Sequence, residues 1–493
     1  MIWADRLIRQ KQQKIDLWMD WQVMIKDKGL LNVDMLDVLN PFNGEVVGKV
    51  VNANKSQVHE VLNRAFKFHC NLLAKDREKI LLKTALYIEK HKDSLAMLIS
   101  SESGLSLQDT IYEVERVINC AKYSAKVCAL VEKDTTNEYL IDGTNYPELS
   151  VITDPMDLII GITPFNHPMN QVAHKVFPAI AAGASIVIKP SEKTPLSAFK
   201  LLEILLENGL PEGMFGVVVN ENPEQILESI LLFPKLDMIT FTGGLSAGLI
   251  IQQKMMDYGH GLKRYVPELG GCSSLIICDD ANIDKAVDLV LKGCFKNSGQ
   301  RCTAIRRVVV DKIIAEEFIK KLSQSVKSIK YGDPFDKDVD MGTVIDEQAA
   351  YNIKQRIDSA IAGGAKLLYG GEMKGLLLSP TILDNVDLSM ELVSQETFGP
   401  VCSIIRVDNF EEALSIAKKT NYKLAGAIVT TDKKKAERAA SELKVGQFSF
   451  NGPPGFRTEA APFGGFGDSG NGEKEGIILA AKGMRRIRTF YKH

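Results

Sequence analysis

Apolar and polar residues follow two different periods along the chain, and the change of period separates helices from strands. Over residues 56–132 apolar positions recur at helical spacing, which predicts a run of amphipathic helices. From residue 158 onwards, short β-rich runs alternate with helical stretches. The predicted strands are Leu158–Thr163, Ala184–Ile188, Phe215–Val219 and Met238–Phe241. The predicted helices are Met169–Ala182, Leu196–Leu206, Ile226–Leu232 and one that begins at Leu245.

A second series of the same kind runs from Ser273 to Phe448. Its predicted strands are Leu275–Cys278, Arg307–Val310 and Ile404–Val407. Continuously apolar strands that alternate with helices indicate parallel sheets covered on both faces. We therefore predict an α/β protein with two doubly wound, Rossmann-like domains. Tyr139–Thr153 and Ile487–Tyr491 have the mixed pattern of half-exposed strands and fit neither domain.

Composition narrows the class of protein. With 493 residues, two or three domains are expected. Lys and Arg number 60 and Asp and Glu 62, so the net charge of -2 gives no reason to expect nucleic acid or a membrane as partner. Eight cysteines without regular spacing do not indicate disulfides or a zinc site. We expect a cytoplasmic protein with reduced cysteines and no metal.

The first residues, Met1–Lys28, predict an amphipathic surface helix. They lack the apolar core of a secretory signal, and Asp5, Asp16 and Asp20 are atypical of a transit peptide. No stretch of the sequence approaches the ~18 apolar residues that a membrane span needs.

Two turns at strand ends are candidates for nucleotide binding. Gly243 and Gly248 lie where a strand passes into a helix, and the N–H groups of a helix N-terminus can bind a pyrophosphate. An ordinary tight turn is the alternative. Lys189-Pro190-Ser191-Glu192 follows the second predicted strand. Glu192 could accept bonds from a ribose diol and would repel a 2′-phosphate, so it favours NAD over NADP.

Two further residues are candidates for chemistry. Cys302 ends the polar stretch Asn297-Ser298-Gly299-Gln300-Arg301-Cys302, and the neighbouring arginine is expected to lower its pKa. Glu268 stands before Leu269-Gly270-Gly271, where the two series meet, and is a candidate general base. A solvated carboxylate is the alternative for Glu268.

Six motifs together resemble those of the aldehyde dehydrogenase family, in its order and spacing. They are Thr163–Pro168, the turn Lys189–Glu192, the Gly243/Gly248 turn, Glu268–Gly271, Gly299–Cys302 and Glu396–Pro400. Asn451 and Pro462-Phe463-Gly464-Gly465 are also similar. The resemblance covers the chain after its first ~40 residues.

The resemblance implies the site. Cys302 would be the nucleophile, Glu268 the general base, and the Asn166 side chain with the Cys302 N–H the oxyanion hole. It also implies a nicotinamide dinucleotide, with NAD preferred and NADP possible. The cofactor-binding residues would be Thr163, Pro164, Lys189, Ser191, Glu192, Gly243, Gly244, Ser246, Leu269, Glu396 and Phe398.

The domain division follows the aldehyde dehydrogenase fold. Residues 1–134 and 157–267, with 463–483, are predicted to form the dinucleotide-binding domain, and 268–462 the catalytic domain. Residues 135–156 and 484–493 are predicted to be a small β bridging element for oligomerisation. We expect a homodimer or homotetramer.

Basic residues near the nucleophile indicate an anionic aldehyde as substrate. The substrate-binding candidates are Arg116, His167, Arg301, Thr303 and Arg457. In the alternative, Arg116 pairs with Glu113 or Glu115, and Arg457 with Glu459.

Residues 451–491 and His167 are most similar to phosphonoacetaldehyde dehydrogenases. Glyceraldehyde 3-phosphate and succinate semialdehyde are alternative substrates. A CoA-acylating enzyme and a non-catalytic nucleotide-binding paralogue are the competing classes. The complete set of Cys302, Glu268 and Asn166 argues against both.

Overall fold

The structure is a computed structural model that describes residues 34–133, 136 and 148–493. The predicted N-terminal helix at Met1–Lys28 lies outside the described residues, as do residues 139–147 of one predicted strand.

The strands are named here in chain order. They are β1 (Met35–Leu39), β2 (Val46–Val51), β3 (Glu148–Pro155), β4 (Ile159–Ile162), β5 (Ile186–Lys189), β6 (Phe215–Val217), β7 (Met238–Thr242), β8 (Arg264–Glu268), β9 (Ser273–Ile277), β10 (Ile305–Asp311), β11 (Lys366–Tyr369), β12 (Met373–Lys374), β13 (Leu377–Leu378), β14 (Thr381–Asp384), β15 (Val401–Val407), β16 (Tyr422–Lys423), β17 (Ala425–Val429), β18 (Gln447–Phe450), β19 (Phe466–Gly467) and β20 (Arg485–Lys492).

The described α-helices are Lys55–Lys67, Ala74–Lys90, Lys92–Ser103, Leu107–Leu130, Pro168–Ala182, Leu196–Glu207, Pro223–Leu231, Leu245–Asp257, Ile283–Phe295, Lys312–Ser325, Glu347–Ala362, Glu391–Ser394, Phe410–Lys418, Lys433–Leu443 and Ile477–Gly483. Short 3-10 turns lie at Lys296–Gly299 and Val326–Ser328.

The first sheet is parallel, with strand order β6-β5-β4-β7-β8. Its strands are apolar on both faces because helices cover both. On β5, Ile186 and Ile188 belong to one core with the helices of residues 74–130 and 168–207, whereas Val187 belongs to the opposite core. The strand order reverses between β4 and β7, and such a point opens a crevice at the carboxyl ends of the strands.

The second sheet has the order β11-β14-β15-β10-β9-β17-β18 and is parallel except for the edge strand β11. Residues 269–272 connect β8 of the first sheet to β9 of the second. This connection places Glu268, the last residue of β8, at the junction of the two sheets.

The predicted class of fold is confirmed, and the named strands of both sheets occur within a few residues of their predicted bounds. The prediction of a strand at Phe215–Val219 was too long, because pairing ends at Val217. Strand β8 was not predicted, since its sequence Arg-Tyr-Val-Pro-Glu is polar at both ends and contains Pro267. An edge strand tolerates proline because one side of it needs no N–H donor. The domain boundaries stay predictions.

Strands β3 and β20 form an antiparallel pair of their own, with Arg485 opposite Pro155 and Lys492 opposite Glu148. Within the described residues this pair is a two-stranded sheet, which is marginal by itself. Ile487, Phe490 and Tyr491 of β20 are exposed. No helix among the described residues is long and apolar enough to cross a membrane.

We expect this exposed pair to bind a second copy of the chain. Replacing Ile487 and Phe490 together by Asp should lower the mass measured by light scattering, because the charges oppose burial of the strand. Ile313→Asp, at a similarly exposed apolar position on the helix Lys312–Ser325, is the control. A wild-type monomer at micromolar concentration would contradict the expectation.

Candidate active site

The residues that the sequence predicted for nucleotide binding lie at the crevice of the first sheet. Thr163 follows β4, Lys189 ends β5, and Gly243 follows β7. These strands are neighbours, so the turns that follow them lie side by side at one edge of the sheet. Pro164 and Ser191 lie in two of these turns.

The crevice has features that fit a dinucleotide. The helix Leu245–Asp257 begins at Gly244, and within the described part of the chain no side chain caps it. A side chain at Gly244 would meet no atom within 4 Å, so the surface beside these N–H groups is open. The hydroxyls of Thr163 and Thr242 are buried and have no hydrogen-bond partner among the described residues. Open N–H groups at a helix start are suited to a pyrophosphate.

The other predicted cofactor residues surround the same crevice. Lys189 Nζ lies 3.2 Å from Glu192 Oε2. Leu269 is buried beside Gly248 in the core under the crevice. Ser246 is exposed in the first turn of the helix that starts at Gly244.

Glu396 and Phe398 lie in the segment that precedes β15 of the second sheet. Glu396 Oε1 accepts a hydrogen bond of 2.9 Å from the N–H of Gly271, in the connection between the sheets. Phe398 meets Phe165 edge to face, with 5.9 Å between ring centroids. Phe165 follows Thr163-Pro164, so these contacts join the cysteine-bearing half of the molecule to the crevice.

The loop before Cys302 has an unusual backbone. Asn297, Ser298 and Gly299 adopt successive left-handed conformations with φ of 61°, 52° and 70°. The first two residues each cost ~1–2 kcal/mol in this conformation. At Gly299 a Cβ atom would lie 2.0 Å from the carbonyl oxygen of Gly399, so only glycine fits.

Hydrogen bonds hold this turn against Asn166. The Asn297 side chain donates to the Asn166 carbonyl at 2.9 Å, and Asn166 Nδ2 donates to the Gln300 carbonyl at 2.8 Å. Asp109 accepts from the Asn297 N–H at 2.7 Å. Asn166 and the residues before Cys302 are therefore held as one unit, as an oxyanion hole requires.

Glu268 is buried, and neither carboxyl oxygen has a hydrogen-bond partner among the described residues. Burial raises the pKa of this carboxyl well above its usual range, Glu475 adds to the rise, and Lys175 opposes it. A carboxyl with a raised pKa accepts a proton readily, as a general base must.

The Cys302 thiol is partly buried against Leu424, Ala425 and Phe463. Burial raises its pKa to about 12, the nearby carboxylates add to the rise, and Arg457 and Arg301 oppose it. The expectation that a neighbouring arginine lowers this pKa was therefore wrong in its net direction. Desolvation of the thiolate outweighs the attraction of the cations.

Cys302 opens on a cavity of about 90 Å³ that brings the predicted substrate residues together. Its lining includes Arg116, Asn166, His167, Arg301, Thr303 and Arg457.

Arg116 is paired, although not with the acids named as alternatives. Its guanidinium donates to both carboxyl oxygens of Glu459, at 2.8 and 3.1 Å. The predicted alternative pairing of Arg116 with Glu113 or Glu115 was wrong, and so was that of Arg457 with Glu459. The two acids are engaged elsewhere, because Glu113 accepts hydrogen bonds from the N–H groups of Met169 and Asn170, and Glu115 pairs with Lys92.

Arg457 forms no ion pair with a carboxylate in the part of the chain that the structure describes. Its Nη2 lies 3.4 Å from His174 Nε2, and its guanidinium stacks over Phe463 at 4.0 Å from the ring centroid. Burial, with the charge of Arg457, lowers the pKa of His174 to about 4. The buried Nη1 of Arg457 has no hydrogen-bond partner among the described residues.

Arg301 faces the cavity but is largely engaged by the backbone. Its Nη2 donates to the carbonyls of Lys292 and Gly293 at 2.7 and 2.9 Å, at the end of the helix Ile283–Phe295. Thr303 lies against Gly455 on the opposite wall. Arg301 therefore stabilises the cysteine loop as well as contributing charge.

Several residues of the site were missed by the sequence analysis. They are Asp109, Tyr112, Gln171, His174 and Lys296. Tyr112 lies one helical turn before Arg116, and this spacing is a usable signal. His174 carries no signal of its own, and Glu459 was named only as a partner for Arg457, because only the fold brings His174 and Glu459 together.

The comparisons with known proteins agree with this geometry. The aldehyde dehydrogenase family model matches residues 31–489. The chain is 35% identical over 468 residues to lactaldehyde dehydrogenase of Methanococcus aeolicus, covering 93% of this chain and 97% of that protein. It is 34% identical over 459 residues to aspartate-semialdehyde dehydrogenase 1 of Pseudomonas canavaninivorans, covering 92% and 96%. It is 32% identical over 456 residues to 3-sulfolactaldehyde dehydrogenase of Priestia aryabhattai, covering 92% and 94%.

Solved structures are similar over the same span. NADP-dependent glyceraldehyde-3-phosphate dehydrogenase from Bacillus halodurans, complexed with NADP, has a TM-score of 0.87 at 31% identity and covers 93% of this chain and 95% of its own. Betaine aldehyde dehydrogenase from Staphylococcus aureus, with NAD+, has a TM-score of 0.86 at 31% identity and covers 93% and 92%. The chain belongs to the aldehyde dehydrogenase family. It is an enzyme that oxidises aldehydes.

The position of Glu192 beside Lys189 leads to a prediction about the cofactor. We expect NAD to be the better acceptor, and Glu192→Gln to lower the NAD-to-NADP ratio of kcat/KM by about tenfold, because repulsion of the 2′-phosphate is lost. Glu203→Gln, which breaks a similar Lys–Glu pair elsewhere, is the control. A wild-type preference for NADP in steady-state kinetics would refute the prediction.

The raised pKa of Cys302 leads to a second prediction. Only the thiolate reacts with iodoacetamide, so the alkylation rate should rise about tenfold per pH unit from neutral pH upwards, without a plateau near neutrality. Peptide mapping by mass spectrometry, with Cys302→Ala as the blank, follows this one thiol. A plateau around pH 7 would show a depressed pKa instead.

Proposed function

We propose that this enzyme oxidises a short aldehyde bearing an anionic group to the carboxylic acid, with NAD or NADP as hydride acceptor. Phosphonoacetaldehyde is the first candidate. Glyceraldehyde 3-phosphate and succinate semialdehyde are the alternatives. The observation that carries the proposal is the buried Nη1 of Arg457 in the cavity of Cys302, which has no hydrogen-bond partner among the described residues.

The charges of the cavity support an anion. Burial opposes ionisation of Glu459, but the hydrogen bond from His174 and the pairing with Arg116 hold its pKa below the usual range. Glu459 therefore stays charged and is engaged by Arg116, while His174 stays neutral. Among the described residues Arg457 forms no ion pair with a carboxylate, and a buried charge without a partner is costly until an anion joins it.

The size of the cavity and the relatives support the same class of substrate. A space of about 90 Å³ favours a short molecule. Of the relatives named above, two carry an acidic group in the substrate of their names, aspartate semialdehyde and 3-sulfolactaldehyde. Lactaldehyde is uncharged, and its dehydrogenase is an equally similar relative. The relatives are therefore compatible with an anionic aldehyde, do not name phosphonoacetaldehyde, and leave the choice to the charges of the cavity.

The first half of the reaction follows from the oxyanion unit. The Cys302 thiol loses its proton to solvent, the thiolate adds to the aldehyde carbon, and the carbonyl oxygen becomes an alkoxide. Asn166 Nδ2 and the Cys302 N–H donate to that oxygen, and removing one such donor typically costs ~10²–10³ in rate. A nicotinamide dinucleotide held in the crevice would supply the hydride acceptor, and loss of hydride from the adduct would leave the acyl group on Cys302 as a thioester.

The nucleotide would be held by the residues of the crevice. The N–H groups at Gly244 and the Ser246 hydroxyl would bind the pyrophosphate, and Lys189 and Glu192 the adenosine ribose. Glu396 and Phe398 would hold the nicotinamide half. Thr163, Pro164, Ser191 and Leu269 would complete the binding surface.

The second half of the reaction requires water and a base. Glu268 takes a proton from water as the water attacks the thioester, and the Cys302 thiolate leaves as the acid forms. Glu268 suits this role because its buried carboxylate accepts no hydrogen bond from the described residues. A buried base of this kind argues for hydrolysis over transfer of the acyl group to coenzyme A.

Glu268→Gln should separate the two halves. We expect a burst of about one NADH per active site followed by a stall, because only the step with water needs the base. Glu473→Gln, an exposed neighbour paired with Arg264, should turn over as the wild type does. Loss of the burst in Glu268→Gln would contradict this division of roles. Recovery of steady-state turnover in this variant on addition of coenzyme A would contradict it as well.

Arg457→Leu tests the anionic substrate. Phosphonoacetaldehyde and tert-butylacetaldehyde have nearly the same shape and differ in charge. We expect the variant to lose ~2–5 kcal/mol in kcat/KM for the phosphonate and far less for the neutral aldehyde. Arg301→Leu should impair both substrates alike, because Arg301 holds the cysteine loop. Equal losses in Arg457→Leu, or a wild-type preference for the neutral aldehyde, would refute the proposal.

A further inference from the structure

Arg306 is a buried arginine at the start of β10, and the proposed reaction gives it no role. It is 1% exposed. Its Nη2 donates to the carbonyls of Gly299 and, at 3.3 Å, Arg301. Its Nη1 donates to the carbonyl of Gly399 at 2.8 Å. Gly299 and Arg301 belong to the cysteine loop, residues 297–302, and Gly399 ends the nicotinamide loop, residues 396–399. One guanidinium therefore joins the backbones of both loops.

The bond to the Arg301 carbonyl is important because of the peptide group that contains it. The Arg301 carbonyl and the Cys302 N–H belong to one planar trans peptide, so they point in opposite directions. A contact that fixes the carbonyl therefore also fixes the N–H. The Cys302 N–H has no hydrogen-bond acceptor among the described residues, which leaves it available to a substrate oxygen. A cation on the carbonyl also polarises the peptide and makes its N–H a stronger donor.

The turn around Cys302 provides a second bond to the same carbonyl. The Ala304 N–H donates to the Arg301 carbonyl at 3.1 Å. This bond holds the peptide relative to the turn itself. The guanidinium of Arg306 holds the peptide relative to the nicotinamide loop, because it also binds the Gly399 carbonyl.

Arg306 also lies near the second oxyanion donor. Its Cζ is 6.0 Å from the centroid of the Phe398 ring. The Phe398 ring meets the ring of Phe165, the residue before Asn166. Both donors of the oxyanion hole are therefore connected to the nicotinamide loop, one through Arg306 and the other through Phe398.

We propose that Arg306 is a positioning residue that aligns the oxyanion donor of Cys302 with the nicotinamide loop. The adduct on Cys302 must keep its oxygen on the donors while its carbon faces the hydride acceptor, so the two loops need a fixed relation. Arg306 supplies it by binding the backbone of both. The inference rests on the oxyanion roles given to Asn166 and Cys302 in the proposed function, and it is independent of the charge of the substrate.

Two reagents that need no dinucleotide isolate this role on the same thiol. The Cys302 thiolate adds to the carbonyl of p-nitrophenyl acetate, the oxygen becomes an oxyanion, and p-nitrophenolate then leaves while the acetyl group stays on sulfur. Iodoacetamide is attacked at its CH₂ carbon and loses iodide, so no oxyanion forms. The ratio of the acylation rate to the alkylation rate therefore reports the oxyanion donors, and changes in the thiolate fraction cancel. Mass spectrometry of the Cys302 peptide follows both reactions.

Arg306→Met removes the donors, and Arg306→Lys keeps the charge without the planar fork that spans both loops. Since removal of an oxyanion donor costs ~10²–10³ in rate, we expect a displaced donor to lower the ratio by about 10- to 100-fold in Arg306→Met and about three- to tenfold in Arg306→Lys. The alkylation rate itself should stay near the wild-type value. If melting curves show that Arg306→Met does not fold, Arg306→Lys decides alone.

The neighbouring Arg307 is a matched control. It is also 1% exposed, and it donates to the carbonyls of Val393 and Lys419, outside the cysteine loop. Arg307→Lys should keep the wild-type ratio, even if its melting temperature falls as far as that of Arg306→Lys.

A single turnover with NAD extends the test to hydride transfer. With enzyme in excess over aldehyde, the rate of NADH formation in Arg306→Lys should fall by at least the same factor as the ratio. The fall should be alike for phosphonoacetaldehyde and tert-butylacetaldehyde, because both present the same carbonyl group. A fall confined to one aldehyde would place Arg306 in substrate binding and would overturn the inference.

The outcomes separate this inference from the proposed function. If Asn166→Ala leaves the acylation-to-alkylation ratio unchanged, the oxyanion assignment of the proposed function fails. If Asn166→Ala lowers the ratio and Arg306→Lys does not, the inference about Arg306 is wrong. Parallel losses of acylation and alkylation in Arg306→Lys would make Arg306 a general support of the loop and would also overturn it.

Discussion

The active site depends on the hydrogen-bonded turn at Asn297–Gly299. Its left-handed residues would relax to ordinary conformations if nothing held them. Asp109 from the helix Leu107–Leu130 and Asn166 from the loop after β4 supply bonds that hold them. The same contacts fix the peptide before Cys302. Nucleophile and oxyanion donors are thus positioned by the junction of the two sheets, and weakening either side displaces both.

The cavity next to this turn contains one arginine that is paired with a carboxylate and another that has no such partner among the described residues. Arg116 and Glu459 cancel each other, and His174 is held neutral by burial. Arg457 is left with an unsatisfied N–H group. Because Glu459 pairs with Arg116, it leaves Arg457 available to a ligand. Arginine content alone would have overestimated the positive charge that a substrate meets.

Much of the fold could be predicted from the sequence, because buried parallel strands are continuously apolar and their helices are amphipathic. Strand β8 was missed because an edge strand need not be continuously apolar. The motifs located Cys302, Glu268 and Asn166, and the structure places their loops around one junction. The pairing of Arg116 with Glu459 could not be predicted, because 343 positions separate them. The pKa of Cys302 was misjudged for a related reason: sequence shows the neighbouring charge and not the burial that outweighs it.

The antiparallel pair of β3 and β20 has a consequence for how the chain folds. The side chain of Arg485 bonds to the Thr153 carbonyl across 332 positions. During synthesis, β3 emerges long before its partner strand and waits with its edge open while both sheets form. Contacts of such long range are slow to form and leave a strand available for wrong partners. The pair can form only after β20 has been synthesised, and until then the edge of β3 is open to strands of other chains.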